Sequence, residues 1–176
     1  MRPVIVLLAT GSCLLASLVN AANVEITLDD ELDGILNGYC IDIAGGNENV
    51  DINKGLQAHT CYSYRGSLGT DQIFDTAHLA DNELYMTDYD VCATLSGLEA
   101  GATVGLADCD GSEPQQFVFD DDGRIFAKAA PALCLTVAQD TRMGKGSQHQ
   151  IKALTLESCS DELAPQQLWR TRETDD

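Results

Sequence analysis

Cysteine is the residue type whose spacing in this chain carries the most chemistry. Cys40 and Cys61, Cys92 and Cys109, and Cys134 and Cys159 fall in three close pairs. Each pair is followed by a glutamine two residues ahead of an aromatic side chain: Gln72-Ile73-Phe74, Gln115-Gln116-Phe117 and Gln167-Leu168-Trp169. Paired thiols either bind metal or form disulfides. Zinc calls for Cys-x-x-Cys or closely spaced histidines, and neither occurs here. Six cysteines in close pairs in an exported chain predict three disulfides instead. Composition leaves the connectivity open. The repeat selects Cys40–Cys61, Cys92–Cys109 and Cys134–Cys159, each closing a short loop and contributing on the order of 3 kcal/mol through chain entropy.

Export is read from residues 1–21. Arg2 precedes the apolar runs Val4-Ile5-Val6-Leu7-Leu8 and Leu14-Leu15-Ala16-Ser17-Leu18, and the segment closes on Val19-Asn20-Ala21 with small residues at the cleavage position. This is a secretory signal, whose removal takes Arg2 and Cys13 with it. Its apolar core is short for a bilayer crossing of about 20 residues, and no later segment approaches that length, so no membrane insertion is expected. The chain has 10 Lys and Arg against 28 Asp and Glu, a formal charge of −18. No basic run is present, which argues against nucleic acid, heparin-like glycans and anionic lipid as partners. The acidic runs Asp29-Asp30-Glu31, Asp120-Asp121-Asp122 and Glu173-Thr174-Asp175-Asp176 read as solvated faces, with divalent-cation collection as the alternative.

The elements that position these residues are short strands. Ile41, Ile43 and Ala44, then Val104-Gly105-Leu106-Ala107, then Leu154-Thr155-Leu156, have the apolar character of strands of about five residues. Asp33-Gly34, Asp81-Asn82, Asp110-Gly111 and Asp122-Gly123 supply turns. No segment sustains a helical stripe over three turns. A repeat of this period means one unit copied three times, over residues about 27–75, 76–119 and 120–172 of a single domain. Closed all-β architecture with threefold pseudosymmetry follows, with Phe74, Phe117 and Trp169 meeting in a shared core.

The stretch Cys40-Ile41-Asp42-Ile43-Ala44-Gly45, followed by Gln57-Ala58-His59-Thr60-Cys61 and Asp71-Gln72-Ile73-Phe74, resembles one repeat of the ricin B-type lectins. The resemblance covers essentially all of residues 23–176 and implies a β-trefoil of three homologous repeats. It also implies a shallow galactose or N-acetylgalactosamine site formed by Asp42, Gln57, His59 and Asp71, with Gln72 behind them. A carboxylate can accept from two neighbouring hydroxyls in strong charge-assisted bonds, and a ring covers the C–H face of the sugar. The family usually has Trp, Tyr or Phe where His59 stands, so stacking is weaker here and can depend on pH. Only repeat one keeps the set: Thr94, Gly105, Ala107 and Pro114 replace it in repeat two, and Thr136, Thr155, Glu157 and Gln166 in repeat three.

No cofactor is required by this reading, but Ca²⁺ at the sugar site is implied by likeness to a calcium-dependent branch of the same lectins. Asp42, Asp71 and the carbonyls of Ile43 and Gly45 would hold it. The alternatives are an Asx turn at Asp42, a turn hydrogen bond at Asp71, and glutamines that serve the scaffold. His78 and His149 read as surface histidines. Asp42 and Asp71 could also be a glycosidase pair, but a shallow, solvated site gives no means of raising one carboxylate's pKa. No nucleophile elbow or His-Glu-x-x-His is present, so the expectation is a secreted lectin and not an enzyme. A β-trefoil protease inhibitor is the alternative from another class, presenting Arg142 or Lys145 from the long segment 140–147. Non-reducing peptide mapping should recover the three intra-repeat links, and any cross-repeat link would break the alignment.

Overall fold

The structure is a computed structural model that describes residues 21–45 and 50–173. The secretory-signal reading and the end of the acidic tail lie outside the described residues, apart from Ala21 and Glu173. Repeat one contributes β1 (Asn23–Leu28), β2 (Tyr39–Ile43), β3 (Leu56–Thr60) and β4 (Phe74–Asp75). Repeat two contributes β5 (Tyr85–Met86), β6 (Val91–Leu95), β7 (Val104–Ala107) and β8 (Phe117–Phe119). Repeat three has β9 (Ile125–Ala127) and β10 (Ala130–Val137), an added hairpin of β11 (Arg142–Met143) and β12 (Gln150–Lys152), then β13 (Leu154–Ser158) and β14 (Trp169–Arg172).

Strand register shows the copying directly. β2 pairs with β3 so that Cys40 faces His59 and Asp42 faces Gln57. β6 pairs with β7 so that Cys92 faces Ala107 and Thr94 faces Gly105. β10 pairs with β13 so that Cys134 faces Glu157 and Thr136 faces Thr155. All three expected disulfides are formed. Because side chains alternate across a strand, the cysteine and the residue two positions on share one face in every repeat.

The core is common to the three units. Phe74, Phe117 and Trp169 are at most 2% exposed and belong to one buried cluster with Ile26, Ile41 and Leu135. Each large side chain there contributes about 1.5–3 kcal/mol by leaving water. Trp169 keeps its polar edge satisfied by donating Nε1–H to the Leu135 carbonyl at 3.1 Å. The chain closes on itself where β1 pairs with β14, and there Arg172 Nε donates to the fully buried Glu25.

The hairpin of β11 and β12 breaks the threefold pattern. Besides β11, β12 pairs with β3 of repeat one, setting Ile151 against His59 and Lys152 against Ala58. The resulting seven-stranded sheet carries β11 and β12 across from repeat three to the face of repeat one. Its anchor is Lys152, 2% exposed, whose ammonium donates to the Gln139 carbonyl at 2.6 Å, lies 2.9 Å from Asp33 Oδ1 and sits over the Tyr39 ring. Asp33 also accepts from the Thr141 and Tyr39 hydroxyls. Together with Lys152 these donors hold its carboxyl well below the usual carboxylate range, Thr141 contributing most. Asp33-Gly34 is therefore more than the turn signal expected of it. A depressed pKa means that this stabilisation is present above about pH 4 and is lost as pH falls toward the folded-state value. Asp33→Ala should cost on the order of 2 kcal/mol by stripping a buried ammonium of its partner, a fall of roughly 4–8 °C in Tm by calorimetry. An unchanged Tm would show that the hairpin is held elsewhere.

Candidate functional site

Asp42 is the centre of a polar cluster inside repeat one. Strand β2 places it opposite Gln57, whose Nε2 donates to Oδ1 at 2.9 Å. Gln72 donates its Nε2 to Oδ2 at 3.0 Å. Asp42 is only 1% exposed. Burial first, and the neighbouring Asp71 carboxylate second, push its carboxyl well above the ordinary range, with the two amides offsetting part of the rise. Asp71, on the short turn of Thr70–Gln72, is 5% exposed and is likewise raised by burial.

His59 Nδ1 lies 2.9 Å from the Thr60 carbonyl, which can only accept, so the proton sits on Nδ1 and Nε2 is left as an acceptor. His149 supplies the matching donor through its Nδ1 at 3.3 Å. Although His59 Nδ1 stands 3.9 Å from Asp42 Oδ2, the two do not form an ion pair at neutral pH. Burial above all, with smaller contributions from His149, Arg142 and Arg65 and against the Thr60 bond, lowers the imidazole to about 4.

Two walls enclose the cluster. The first is the ring of Tyr62, 5.2 Å from the His59 ring, whose phenol is raised by its own burial and by the charges of Asp42 and Asp71. Gly69 permits this placement, since a Cβ there would stand 2.3 Å from the Tyr62 ring and 3.0 Å from Asp71 Oδ1. A cleft of about 140 Å³ opens between Tyr62, Arg65, Gly69 and Asp71. The second wall is the hairpin, where Arg142 Nη2 donates to Gln57 Oε1 at 2.8 Å.

The five residues expected to form the site, Asp42, Gln57, His59, Asp71 and Gln72, are brought together, with Ile43 buried at the end of β2 and Gly45 exposed just beyond it. The expected shallow, solvated setting is not what the fold provides: Asp42, Gln57, His59 and Asp71 are all 5% exposed or less. The hairpin and Tyr62 account for the difference. His149 is not an isolated surface histidine but part of the cover, and His78 pairs with Glu83 at 2.9 Å and stacks on Tyr85. Arg142 is engaged with Gln57 and is not a free loop residue. Tyr62 and Arg65 were missed by reading the sequence, and Arg142, read there as an inhibitor-loop residue, was not expected at this site. The aromatic-rich run Tyr62-Ser63-Tyr64-Arg65 beside Cys61 is the signal that could have pointed to two of them.

The glutamines divide cleanly between scaffold and site. Gln72 accepts from the Tyr62 N–H and donates to the Thr60 carbonyl. Gln115 does the same with Asp110 and Asp108, and Gln167 with Ser160 and Ser158. Each clamps the backbone on both sides of a disulfide cysteine. Toward the site position, Gln72 finds a carboxylate, whereas Gln167 finds the Thr136 hydroxyl at 2.9 Å.

Residues 30–167 match the ricin-type beta-trefoil lectin domain, and the chain belongs to that family. No curated protein sequence matches it. Among solved structures, the agglutinin from Abrus precatorius aligns at a TM-score of 0.64 and 21% identity, over 89% of this chain and 50% of that one. A non-toxic homologue of type II RIPs from Momordica charantia, in complex with α-methyl-D-galactoside, aligns at 0.56 and 19%, over 86% and 48%. The β-trefoil lectin of the Vibrio vulnificus hemolysin/cytolysin, with N-acetyl-D-lactosamine bound, aligns at 0.54 and 13%, over 89% and 97%. At such identities the likeness establishes the fold, and the chain spans about half the length of the two plant proteins.

The raised Asp42 carboxyl has a measurable sign. A carboxyl whose folded pKa exceeds its unfolded one stabilises the fold fully below about pH 4, and that contribution is lost as pH rises through the folded pKa. Across pH 4 to 8, wild type should therefore lose stability relative to Asp42→Asn as pH rises, followed by thermal denaturation. The opposite slope would mean that Asp42 is held as an anion.

Proposed function

We propose that the protein is an exported lectin that binds galactose- or N-acetylgalactosamine-type glycans through one site in repeat one. The observation that carries this reading is that repeat one alone pairs a carboxylate–amide cluster with an aromatic wall and an open cleft. Asp71 offers acceptor oxygens to sugar hydroxyls from within that cleft, and the Tyr62 ring takes the role of covering the C–H face. The sugar approaches between Tyr62 and Asp71, since the hairpin covers the Gln57 and His59 side. The sugars bound in the bitter gourd and Vibrio structures support the sugar class. The leader sequence and the three disulfides support export to an oxidising compartment.

Binding is favoured over catalysis because Asp42 holds amide donors on both oxygens and is out of reach of a leaving group. A lone site of this kind holds a monosaccharide at about millimolar strength, so avidity comes from several copies of the protein or from clustered glycans.

Calcium fits the same place. Two carboxylates face each other, and the hairpin's nearest cation bonds to Gln57 and not to either of them. Asp71 and the carbonyls of Ile43 and Gly45 would hold the ion together with Asp42, which would give up an amide donor and its proton to do so, and the ion would polarise vicinal hydroxyls. The inhibitor reading rests on Lys145, exposed between Gly144 and Gly146 at the hairpin tip; inhibition of a trypsin-like protease at micromolar protein would promote it.

Calorimetric titration with galactose should give binding in CaCl₂ that weakens in EDTA, and Tyr62→Ala should weaken it about fivefold, through loss of ring contact. Undiminished affinity in EDTA would eliminate the metal and leave the sugar reading standing. No binding of galactose or N-acetylgalactosamine in either buffer would overturn the lectin reading.

A further inference from the structure

In a chain of charge −18, cations without acid partners stand out, and two of them border the repeat-one site. Most other cations among the described residues are paired: Lys54 with Asp51, Arg124 with Asp161, Lys152 with Asp33, Arg170 with Asp29 and Arg172 with Glu25. Among the described residues, Arg65 and Arg142 have no carboxylate within ion-pair distance. Their hydrogen-bond and ring partners are neutral. Arg65 donates Nε–H to the Tyr64 hydroxyl at 2.9 Å and lies over the Tyr62 ring, 5.1 Å from its centre. Arg142 spends one N–H on the Gln57 amide. Both are exposed at the guanidinium-bearing residue, so each retains donors facing outward.

They flank the repeat-one cluster from its two walls although they lie far apart in sequence. Arg65 lines the cleft of Tyr62 and Asp71. Arg142 lines a second cleft of about 410 Å³ that shares Gln57 with the cluster, a volume within the range of small-molecule sites. Both guanidiniums act on His59, as does His149. Asp42 and Tyr62 from repeat one and His149 from the hairpin lie against His59, and the charges of Arg65 and Arg142 act on it as well. Among the described residues the fold brings together no basic run either, but it sets two guanidiniums without acid partners at the border of this one site.

We propose that the preferred ligand of repeat one is an acidic glycan, whose carboxylate or sulfate is held by Arg65 and, on the hairpin side, by Arg142. This rests on the lectin reading above and narrows its ligand class. A guanidinium presents a planar fork of donors that matches either anion in two parallel bonds. Asp71 shares the Arg65 cleft, so the anion is assigned to the Arg65 rim with the neutral hydroxyls on the Asp71 side, while Asp42 has both oxygens occupied by the amides of Gln57 and Gln72.

The test uses the whole mature chain and three probes: lactose, sialyllactose for the carboxylate, and 6-sulfogalactose for the sulfate. Titration calorimetry should show at least one acidic probe binding about tenfold more tightly than lactose, the gain expected of a charge-assisted contact. Which of the two wins identifies the anion. Arg65→Gln should bring the ratio of acidic to neutral affinity close to one, Arg142→Gln should reduce it, and Lys145→Gln, a cation at the hairpin tip outside the site, should leave it as in wild type. Equal affinity for lactose and both acidic probes would overturn the acidic preference while sustaining the lectin reading. A ratio that falls equally in Lys145→Gln would replace the assigned contacts with a general charge effect. If none of the three probes binds, both readings fail.

Discussion

Everything in this molecule is hung from an amide that spans a disulfide. In each repeat one glutamine accepts the N–H just after the second cysteine and donates to the carbonyl just before it. Buried backbone groups that cannot pair in a strand must pair with something, and at the end of β3, β7 and β13 that partner is a side chain. The glutamine, the disulfide and the aromatic residue two positions later fix one another, so the core aromatic is delivered to the common centre three times. The same amide reaches the site position in repeats one and three. Scaffold and site are thus a single hydrogen-bonded unit, and what differs between copies is the group the amide finds there.

That arrangement explains how three near-identical frames come to hold one candidate site. Where Gln72 meets a carboxylate, the buried charge is costly, and the fold responds with a second amide from Gln57 and a shift of Asp42 toward its neutral form. Where Gln167 meets Thr136, the hydroxyl is satisfied locally by donating to the Cys134 carbonyl, and no charge is left to manage. Repeat two has no polar group of comparable strength at Thr94 and Gly105. The cluster at Asp42 is costlier to bury than its counterparts, which is reason to look there for function.

The sequence made the frame legible and the surroundings of the site illegible, for one physical reason. Disulfide pairing, register and the glutamine clamps are local: they follow from spacings within one repeat, and Asp42 two residues after Cys40 necessarily shares its face. The hairpin is not local. Ile151 against His59, His149 against His59 and Arg142 against Gln57 join residues about 90 positions apart, and nothing in the run Asp140 to Lys152 announces that it will cross to another repeat. Asp33 reads as a turn residue from its glycine neighbour, yet its carboxylate anchors the crossing through Lys152. Charge placement was hidden on the same ground. A count of acids and bases describes the whole chain, while only the fold shows Arg65 and Arg142 bordering the repeat-one cluster without acid partners among the described residues.

The central claim is that a glycan is bound by repeat one, between Tyr62 and Asp71, and by no other repeat. Amide chemical shifts followed by NMR during titration with galactose test it directly. The account predicts concentration-dependent shifts at Tyr62, Arg65, Gly69, Thr70 and Asp71, with Thr94 and Gly105 in repeat two and Thr136 and Thr155 in repeat three unmoved. Shifts centred on either of those latter pairs, with the Tyr62 to Asp71 loop silent, would contradict it.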